Sequence, residues 1–325
     1  MSFTRTEYLD TLYSTTWQIR KPKVVQQQFK ATPFWLFLNR KNHITYQKGG
    51  RFIEQRLSYA KNQTVKFISK GGKVSLDKNE TQTVAWYTWK MAVVNITRYY
   101  MDDLQNMGAP AIENMVTNDL DIAKNSMIAR FEEVLFEDGT GDSNQAFDGL
   151  AKLVPTTNTT GTVGGIDAAA NDWWRNSAKD MTTEIPSVYL VKRMRTMYND
   201  CGIWGEGTMR FPQIIMTTQA IAELYEDEAL EIYHITNDKE LIDLGCGHMA
   251  FKGMPIVWSP SCPAYHMWML NMDDFYFIAH PSSFFEMTNW KQVPDQLDRF
   301  CQITVTGNFG MSNRRRSGVI YNINN

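Results

Sequence analysis

Two cysteines and two histidines are the residues of this chain best suited to binding a metal. One residue separates Cys246 from His248, and three separate Cys262 from His266. Zinc accepts two thiolates and two imidazoles in a tetrahedral site. However, zinc knuckles usually place about two to four residues between paired ligands, and the residues between the two pairs read as an ordinary strand. We therefore expect no metal site, and a zinc-binding enzyme is the least favoured function considered below.

Two glycine-containing stretches could hold a phosphate or a cation. Residues 138–142 read Asp-Gly-Thr-Gly-Asp, but they follow a helical pattern, so the helix N-terminus that would bind phosphate is absent. The glutamate that ends a calcium-binding loop is also missing. Gly202, Gly205 and Gly207 lack the preceding strand and following helix of a dinucleotide fingerprint. We expect turns at both places and no bound cofactor.

Catalytic sequence motifs are absent from the chain. It contains neither G-x-S-x-G nor H-E-x-x-H, and no Cys–His pair or carboxylate pair can be singled out as catalytic. Glu226, Asp227, Glu228 and Glu231 fall on one helical stretch and are most simply its solvated face. The sequence therefore gives no support for an enzyme.

The longest helical pattern runs from Pro110 to Asp138-Gly139, and the rest of the chain is organised around it. Its apolar residues recur at the three-four spacing of one helix face. They are Ile112, Met115, Val116, Leu120, Ala123, Met127, Phe131, Val134 and Leu135. About 27 residues at 1.5 Å each would make a helix roughly 40 Å long. An apolar stripe of that length needs other elements packed along it.

Residues 49–98 read as strands before this helix. Alternating apolar and polar residues, interrupted at Gly71-Gly72, predict an extended and twisted hairpin. Its tip is basic, with Lys66, Lys70 and Lys73. A two-stranded ribbon is marginally stable alone, so we expect it to lean on a helix or on another molecule.

The first hundred residues are basic and contain an apolar cluster without a core of its own. They hold 17 Lys and Arg against 5 Asp and Glu, whereas the remainder holds 16 against 30. The cluster, FWLFL at 34–38, is expected to dock elsewhere, in the same chain or on another copy. Either the charges form two different solvated faces, or the basic part packs on the acidic part of a neighbouring copy or faces a polyanion.

The composition is that of a folded protein. Apolar residues make up 43% and charged residues 21%, and the ten Trp suit cores and buried interfaces. No apolar run approaches the length that spans a bilayer, the start lacks a secretory apolar region, and four scattered Cys fit free thiols in a reducing, cytosolic compartment. After residue 155, helical and strand patterns mix without βαβ repetition, which indicates an α+β fold.

The order of several short motifs resembles a known family, the major capsid proteins of tailed bacteriophages with the Hong Kong 97-type coat fold. The motifs are AWYTWK (85–90), Asn106-Met107-Gly108, LFEDGTG (135–141), FDGLAKLV (147–154), GTVGGID (161–167), WWRN (173–176), GMPIVWSP (253–260) and the closing strands ITVTGNFGMSNRRRSGVIYNI. Each is weak alone, but the ordered set spans about four fifths of the chain.

The resemblance implies a domain map. Residues 1–44 would be an N-terminal arm and 45–98 an extended β-hairpin loop. Residues 99–155 would be a peripheral domain with a long spine helix, and 281–325 its return strands. Residues 156–280 would form the axial domain.

The implied function is structural: an icosahedral capsid subunit that self-assembles around double-stranded DNA, bound without sequence specificity. Its partners would be its own copies in hexamers and pentamers, with scaffolding and portal proteins and no membrane. It would be found in the virion capsid, and in the host cytoplasm during assembly. The alternative is an encapsulin-like bacterial compartment shell. Candidate intersubunit residues are Trp35, Phe37, Lys66, Lys70, Lys73, Arg314, Arg315 and Arg316; the three arginines could instead be solvated or touch nucleic acid.

Overall fold

The computed structural model describes residues 32–40, 43–73, 80–100, 115–205, 208–232, 249–292 and 297–324. The chain divides into two compact units. One contains Ala92–Arg130 and Ser283–Val305, and the other contains Ala31–Met91, Phe131–Ser282 and Thr306–Asn325. Each unit is described by itself. Within the described ranges, no helix has the length and apolar character needed to span a membrane.

The helices mostly match the sequence patterns. The regular helices are α1 (Pro33–Arg40), α2 (Met115–Phe136), α3 (Leu150–Leu153), α4 (Pro186–Cys201) and α5 (Gln219–Ile232). The turn Gly141–Asn144 contains left-handed residues and is not counted among them. Pro186 occupies the first turn of α4 and Gly202 follows its last residue, the usual places for proline and glycine at the two ends of a helix. α3 is a single turn that follows Gly149.

Strands form two main sheets. They are β1 (Ile44–Tyr46), β2 (Ile53–Ser58), β3 (Gln82–Tyr87), β4 (Lys90–Arg98), β5 (Thr162–Val163), β6 (Ile166–Asp167), β7 (Ser177–Asp180), β8 (Ile203–Gly205), β9 (Thr208–Arg210), β10 (Ile214–Thr217), β11 (Ala250–Phe251), β12 (Met254–Trp258), β13 (Met267–Leu270), β14 (Phe275–Met287), β15 (Lys291–Gln292), β16 (Arg299–Met311) and β17 (Gly318–Tyr321). One sheet has the order β11-β12-β10-β13-β17-β7, and the other has β1-β14-β16-β15 with β4 also paired to β16.

The six-stranded sheet carries the core of the larger unit. Strands β10 and β13 are buried along their whole length, and α4 and α5 cover them with an apolar cluster that includes Leu190, Met194, Met197, Ile221 and Ile256. Parallel pairs (β10 with β12, β17 with β7) and antiparallel pairs (β10 with β13) occur in the same sheet. This mixture, with helices between strands, is the α+β class that the sequence predicts.

The apolar stripe of α2 is confirmed over the part whose side chains are described. Ala123, Met127, Phe131, Val134 and Leu135 are all buried. The helix ends at Phe136, just before Asp138-Gly139, and Gly139 takes a positive φ of 79°. The predicted helix start at Pro110 lies outside the described residues. From Met115 the helix has 22 residues, or about 33 Å.

The FWLFL cluster forms the helix α1, and it docks in cis. Phe34, Trp35, Phe37 and Leu38 are buried within their own chain, while Leu36 is exposed. The Trp35 ring lies 5.1 Å from the ring of Phe131 on α2, centroid to centroid. Because these rings fill the core of the larger unit, the cluster does not need a second copy to cover it.

The ribbon is shorter than the alternation pattern predicts. Strands β2 and β3 pair over six residues, from Ile53 opposite Tyr87 to Ser58 opposite Gln82. The predicted strand at 65–68 is wrong: among residues 59–73 the structure has turns but no strand. The side chain of Asn62 accepts hydrogen bonds from the backbone N–H and hydroxyl of Thr64, at 2.9 and 2.7 Å. This local Asx turn replaces the ladder bonds that would have continued the hairpin.

The return half of the predicted hairpin is not one continuous strand either. It breaks at Thr88-Trp89, and β4 then pairs with β16 of the five-stranded sheet instead of continuing the ribbon. In the smaller unit, the Gln302 side chain on β16 donates to Asn95 on β4 at 2.8 Å. Thr88 and Trp89 thus separate the ribbon from a strand that belongs to the five-stranded sheet.

Candidate functional site: the ribbon and its anchors

The ribbon has one buried and one exposed face. Ile53, Leu57, Ala85 and Tyr87 point inward and are buried, while Trp86 on the other face is 45% exposed. Trp86 lies 5.0 Å from the ring of Phe52. This alternation follows from the period of two in a strand, and it leaves an aromatic surface on the outside of the ribbon.

The segment beyond the ribbon combines apolar and basic side chains. Val65 and Ile68 are exposed and Phe67 is fully exposed, and Lys66, Lys70 and Lys73 are exposed between and beside them. All three lysines predicted to form a basic tip are therefore on the surface. Large apolar side chains exposed together are a feature of interaction sites.

Two aromatic side chains fasten the base of the ribbon. The Tyr87 hydroxyl donates to the carbonyl of Met311 at 3.0 Å and accepts from its N–H at 3.2 Å. Burial raises the pKa of Tyr87 to about 12, so the phenol remains protonated and able to donate. The Trp89 indole N–H donates to the carbonyl of Gly50 at 3.0 Å and closes the base.

A buried lysine holds the first residue of β4 next to the exit of α2. The Nζ of Lys90 donates to the carboxylate of Asp148 at 2.9 Å and to the carbonyls of Gly139 and Ala146. The amide of Asn308 donates to the other Asp148 oxygen at 3.1 Å and accepts from the Asp148 N–H at 2.8 Å. The turn after α2, which could be taken for a ligand loop, thus binds a side chain of the same chain.

The GTVGGID hairpin supports β3 from the side. Strands β5 and β6 flank Gly164 and Gly165. The backbone N–H of Trp86 donates to the Gly164 carbonyl at 3.0 Å. At Gly165 a Cβ would lie only 2.0 Å from the Trp86 indole nitrogen, so only glycine permits this approach. The ribbon therefore leans on its own chain at this point.

The three arginines of the 314–316 turn have different roles. Arg314 is buried and donates to the carbonyls of Leu153 and Trp174, at 2.7 and 3.1 Å. Burial lowers its pKa to about 10, which leaves it charged at neutral pH. Arg316 is half-buried and pairs with Asp274 at 3.0 Å, whereas Arg315 is exposed. Of the three, Arg315 offers the surface that an intersubunit or nucleic-acid contact needs.

A glutamate on α2 holds the start of α1. The Glu132 carboxylate accepts from the backbone N–H groups of Phe34 and Trp35, at 3.3 and 2.9 Å, and from the Ser259 hydroxyl at 2.8 Å. N–H groups in the first turn of a helix favour a negative charge. Burial is the larger influence, however, and raises the pKa of Glu132. Trp35 and Phe37 are therefore held inside the subunit and present little surface to another copy.

The raised pKa of Glu132 predicts a pH dependence of stability. The folded chain takes up this proton at a higher pH than the unfolded chain, so the stabilisation is fully present below the unfolded pKa and is lost as pH rises through the folded value. Glu132→Gln has no such titration. We expect its free energy of unfolding, relative to the wild type, to rise between acidic and neutral pH in urea titrations. A constant difference across that range would contradict the prediction.

The candidate zinc ligands are only partly described. Cys246 and His248 lie outside the described residues. Cys262 is buried, and burial raises the pKa of its thiol, while His266 stacks on Trp268 and has its Nδ1 2.7 Å from the Ala264 carbonyl oxygen. Among residues that the structure describes, no group of three or more potential ligands comes together.

Comparison with known proteins gives matches in structure but not in sequence. No family model and no curated protein matches the chain. A cyanophage A-1(L) capsid protein superimposes with a TM-score of 0.64 at 19% identity, covering 92% of this chain and 95% of that one. An encapsulin from Synechococcus elongatus PCC 7942 has a TM-score of 0.62 at 10% identity, covering 100% and 97%. The capsid protein of a native GTA particle has a TM-score of 0.57 at 9% identity, covering 93% and 94%.

These likenesses extend over nearly the whole of each chain, so they concern the fold and not a single motif. At such low identity they establish architecture. The resemblance inferred from the ordered sequence motifs is confirmed at this level, and the chain has the Hong Kong 97-type fold that phage capsid proteins share with an encapsulin.

Proposed function

We propose that this protein is the structural subunit of an icosahedral phage capsid, which self-assembles into a shell around double-stranded DNA. The observation that carries the proposal is the match of nearly the whole chain to shell proteins, together with a ribbon whose end exposes apolar and basic side chains. The shell would form in the host cytoplasm and persist in the virion. The domain map that the family resemblance implies is part of the proposal.

The partners are copies of the same chain in hexamers and pentamers, with scaffolding and portal proteins. A closed shell requires each subunit to make heterologous contacts with several neighbours. The basic first hundred residues and acidic remainder would attract each other between copies. DNA would be bound without sequence specificity and through its phosphates. The subunit itself has a structural and not a catalytic role.

Electron microscopy of the expressed full-length chain, with its scaffold protein where one exists, tests this proposal. We expect closed particles of uniform diameter. A chain that stays monomeric under these conditions, with its ribbon well packed, would contradict it.

A bacterial compartment shell of the encapsulin type is the second candidate, because the match to an encapsulin covers all of this chain. Particles purified from the native source separate the two functions. DNA inside the particles supports the capsid, whereas a protein cargo without DNA supports the compartment.

Charge reversal at the end of the ribbon tests its role in assembly. In a Lys66→Glu, Lys70→Glu, Lys73→Glu variant we expect particle yield to fall sharply while unfolding of the unassembled chain is nearly unchanged, because isolated exposed charges contribute little to folding.

A matched control changes the same number of exposed lysines elsewhere, at Lys48, Lys192 and Lys291. This control should assemble at nearly the wild-type yield. Equal loss of particles in both variants would assign the effect to net charge and remove the ribbon from the contact.

A further inference from the structure

Two separate contacts from the 161–176 region hold the paired strands β2 and β3 of the ribbon in a fixed orientation. The first is the Gly164-Gly165 turn beneath Trp86, with the backbone hydrogen bond at 3.0 Å. The second is a stack between the rings of Tyr59, at the end of β2, and Trp173, with centroids 4.9 Å apart and planes at 25°. One contact therefore supports each strand of the ribbon.

Both contacts are anchored in the core. Trp174, next to Trp173, is 2% exposed and donates from its indole N–H to the Val163 carbonyl at 2.9 Å. Arg175 donates to the carbonyls of Ala168 and Ala169, at 2.7 and 2.9 Å. The hairpin and Trp173 therefore cannot shift without disturbing buried groups. Their fixed position in turn fixes the orientation of the ribbon that packs on them.

The last of these side contacts is at Tyr59, where the ribbon ends. Beyond Tyr59 the described residues 60–73 contain no strand and are almost entirely exposed. The direction of β2 and β3 therefore sets where the apolar and basic segment of Val65, Phe67 and Lys66 is presented. A two-stranded ribbon is marginal by itself, so the side contacts add to the Tyr87 anchor at its base in defining this direction.

We propose that Gly164, Gly165 and Trp173 form a latch that fixes the direction of the ribbon in the unassembled subunit, before the ribbon meets a second copy of the chain. The assembly consequence rests on the proposed shell function. A segment already held in its binding direction loses less conformational freedom on docking, so less of the contact energy is spent on ordering it. In this scheme Trp173 is a positioning residue, and the segment beyond Tyr59 makes the contact.

Trp173→Ala removes the stack, and Trp173→Phe retains a ring that can stack on Tyr59. Hydrogen exchange on the unassembled full-length chain is followed at the amides of 53–58 and 82–87. We expect exchange to accelerate clearly in Trp173→Ala and to return towards the wild-type rate in Trp173→Phe. The protein concentration needed for particle formation should rise by about tenfold in the alanine variant and recover in the phenylalanine variant.

Trp258→Ala, which removes a partly exposed tryptophan from β12, is the control and should leave ribbon exchange unchanged. Unchanged ribbon exchange in Trp173→Ala overturns the latch. Accelerated exchange with an unchanged assembly threshold overturns its role in assembly. If the wild type forms no particles, the shell function fails, while the exchange measurement still decides whether the latch exists.

Discussion

Replacing Arg314 by alanine is expected to lower the free energy of unfolding by about 3–5 kcal/mol. The side chain is 1% exposed, and its loss leaves the buried carbonyls of Leu153 and Trp174 and the side chain of Asn176 without their donor. It also leaves a cavity beside the Trp174 ring, whose centroid lies 5.8 Å from the Arg314 guanidinium carbon. Urea unfolding of the unassembled chain measures the effect.

Arg315, the next residue in the chain, supplies the control for Arg314→Ala. Arg315 is exposed, so Arg315→Ala is expected to change the free energy of unfolding by less than about 0.5 kcal/mol. Similar values for the two variants would show that the arginine turn acts through surface charge and not through the buried hydrogen bonds of Arg314.

Replacing Gly165 by alanine is expected to have the second large effect. Gly165 has a φ of 74°, and a Cβ there would overlap the Trp86 indole. The variant therefore incurs the backbone cost of a left-handed alanine, about 1–2 kcal/mol, and a packing cost of about 1–3 kcal/mol. Displacement of Trp86 would also move β3, so we expect particle yield to fall with stability.

Gly161→Ala separates the backbone cost of a left-handed alanine from the packing cost at Trp86. The φ of Gly161 is 96°, but a Cβ there would meet nothing within 4 Å. Gly161→Ala should therefore show the backbone cost alone in urea unfolding and assemble at nearly the wild-type yield. If both variants lose stability equally, close approach of Trp86 is not what requires glycine at residue 165.

The sequence allowed the helices and the fold to be predicted because their signals are local. Pro186 and Gly202 bound α4, and buried positions at Ala123, Met127 and Phe131 follow one face of α2. The ordered motifs added the architecture, which periodicity alone did not give. The wrong prediction of a strand at 65–68 also has a local cause. The Asn62 side chain competes with the hydrogen bonds of the strand ladder, and the alternation of the residues that follow does not reveal this.

The anchors could not be predicted because they join residues far apart in the chain. Lys90 and Asp148 meet only in the folded structure, as do Arg314 and Leu153. One weak signal was present for Glu132, which falls among the apolar positions Phe131, Val134 and Leu135. A charged residue in such a stripe indicates a buried partner, but the sequence does not say that the partner is the start of α1.

The position of Arg314 and β17 also sets the order in which the subunit can be completed during synthesis. Strand β17 lies between β13 and β7 in the six-stranded sheet. Arg314, just before this strand, donates to the carbonyls of Trp174 and Leu153, about 140 and 160 positions earlier in the chain. A nascent chain cannot close that sheet until residue 321 has left the ribosome. Contacts of such long sequence separation form slowly. The ribbon is thus made early, but its Tyr87 anchor at Met311 can form only when most of the chain has been synthesised.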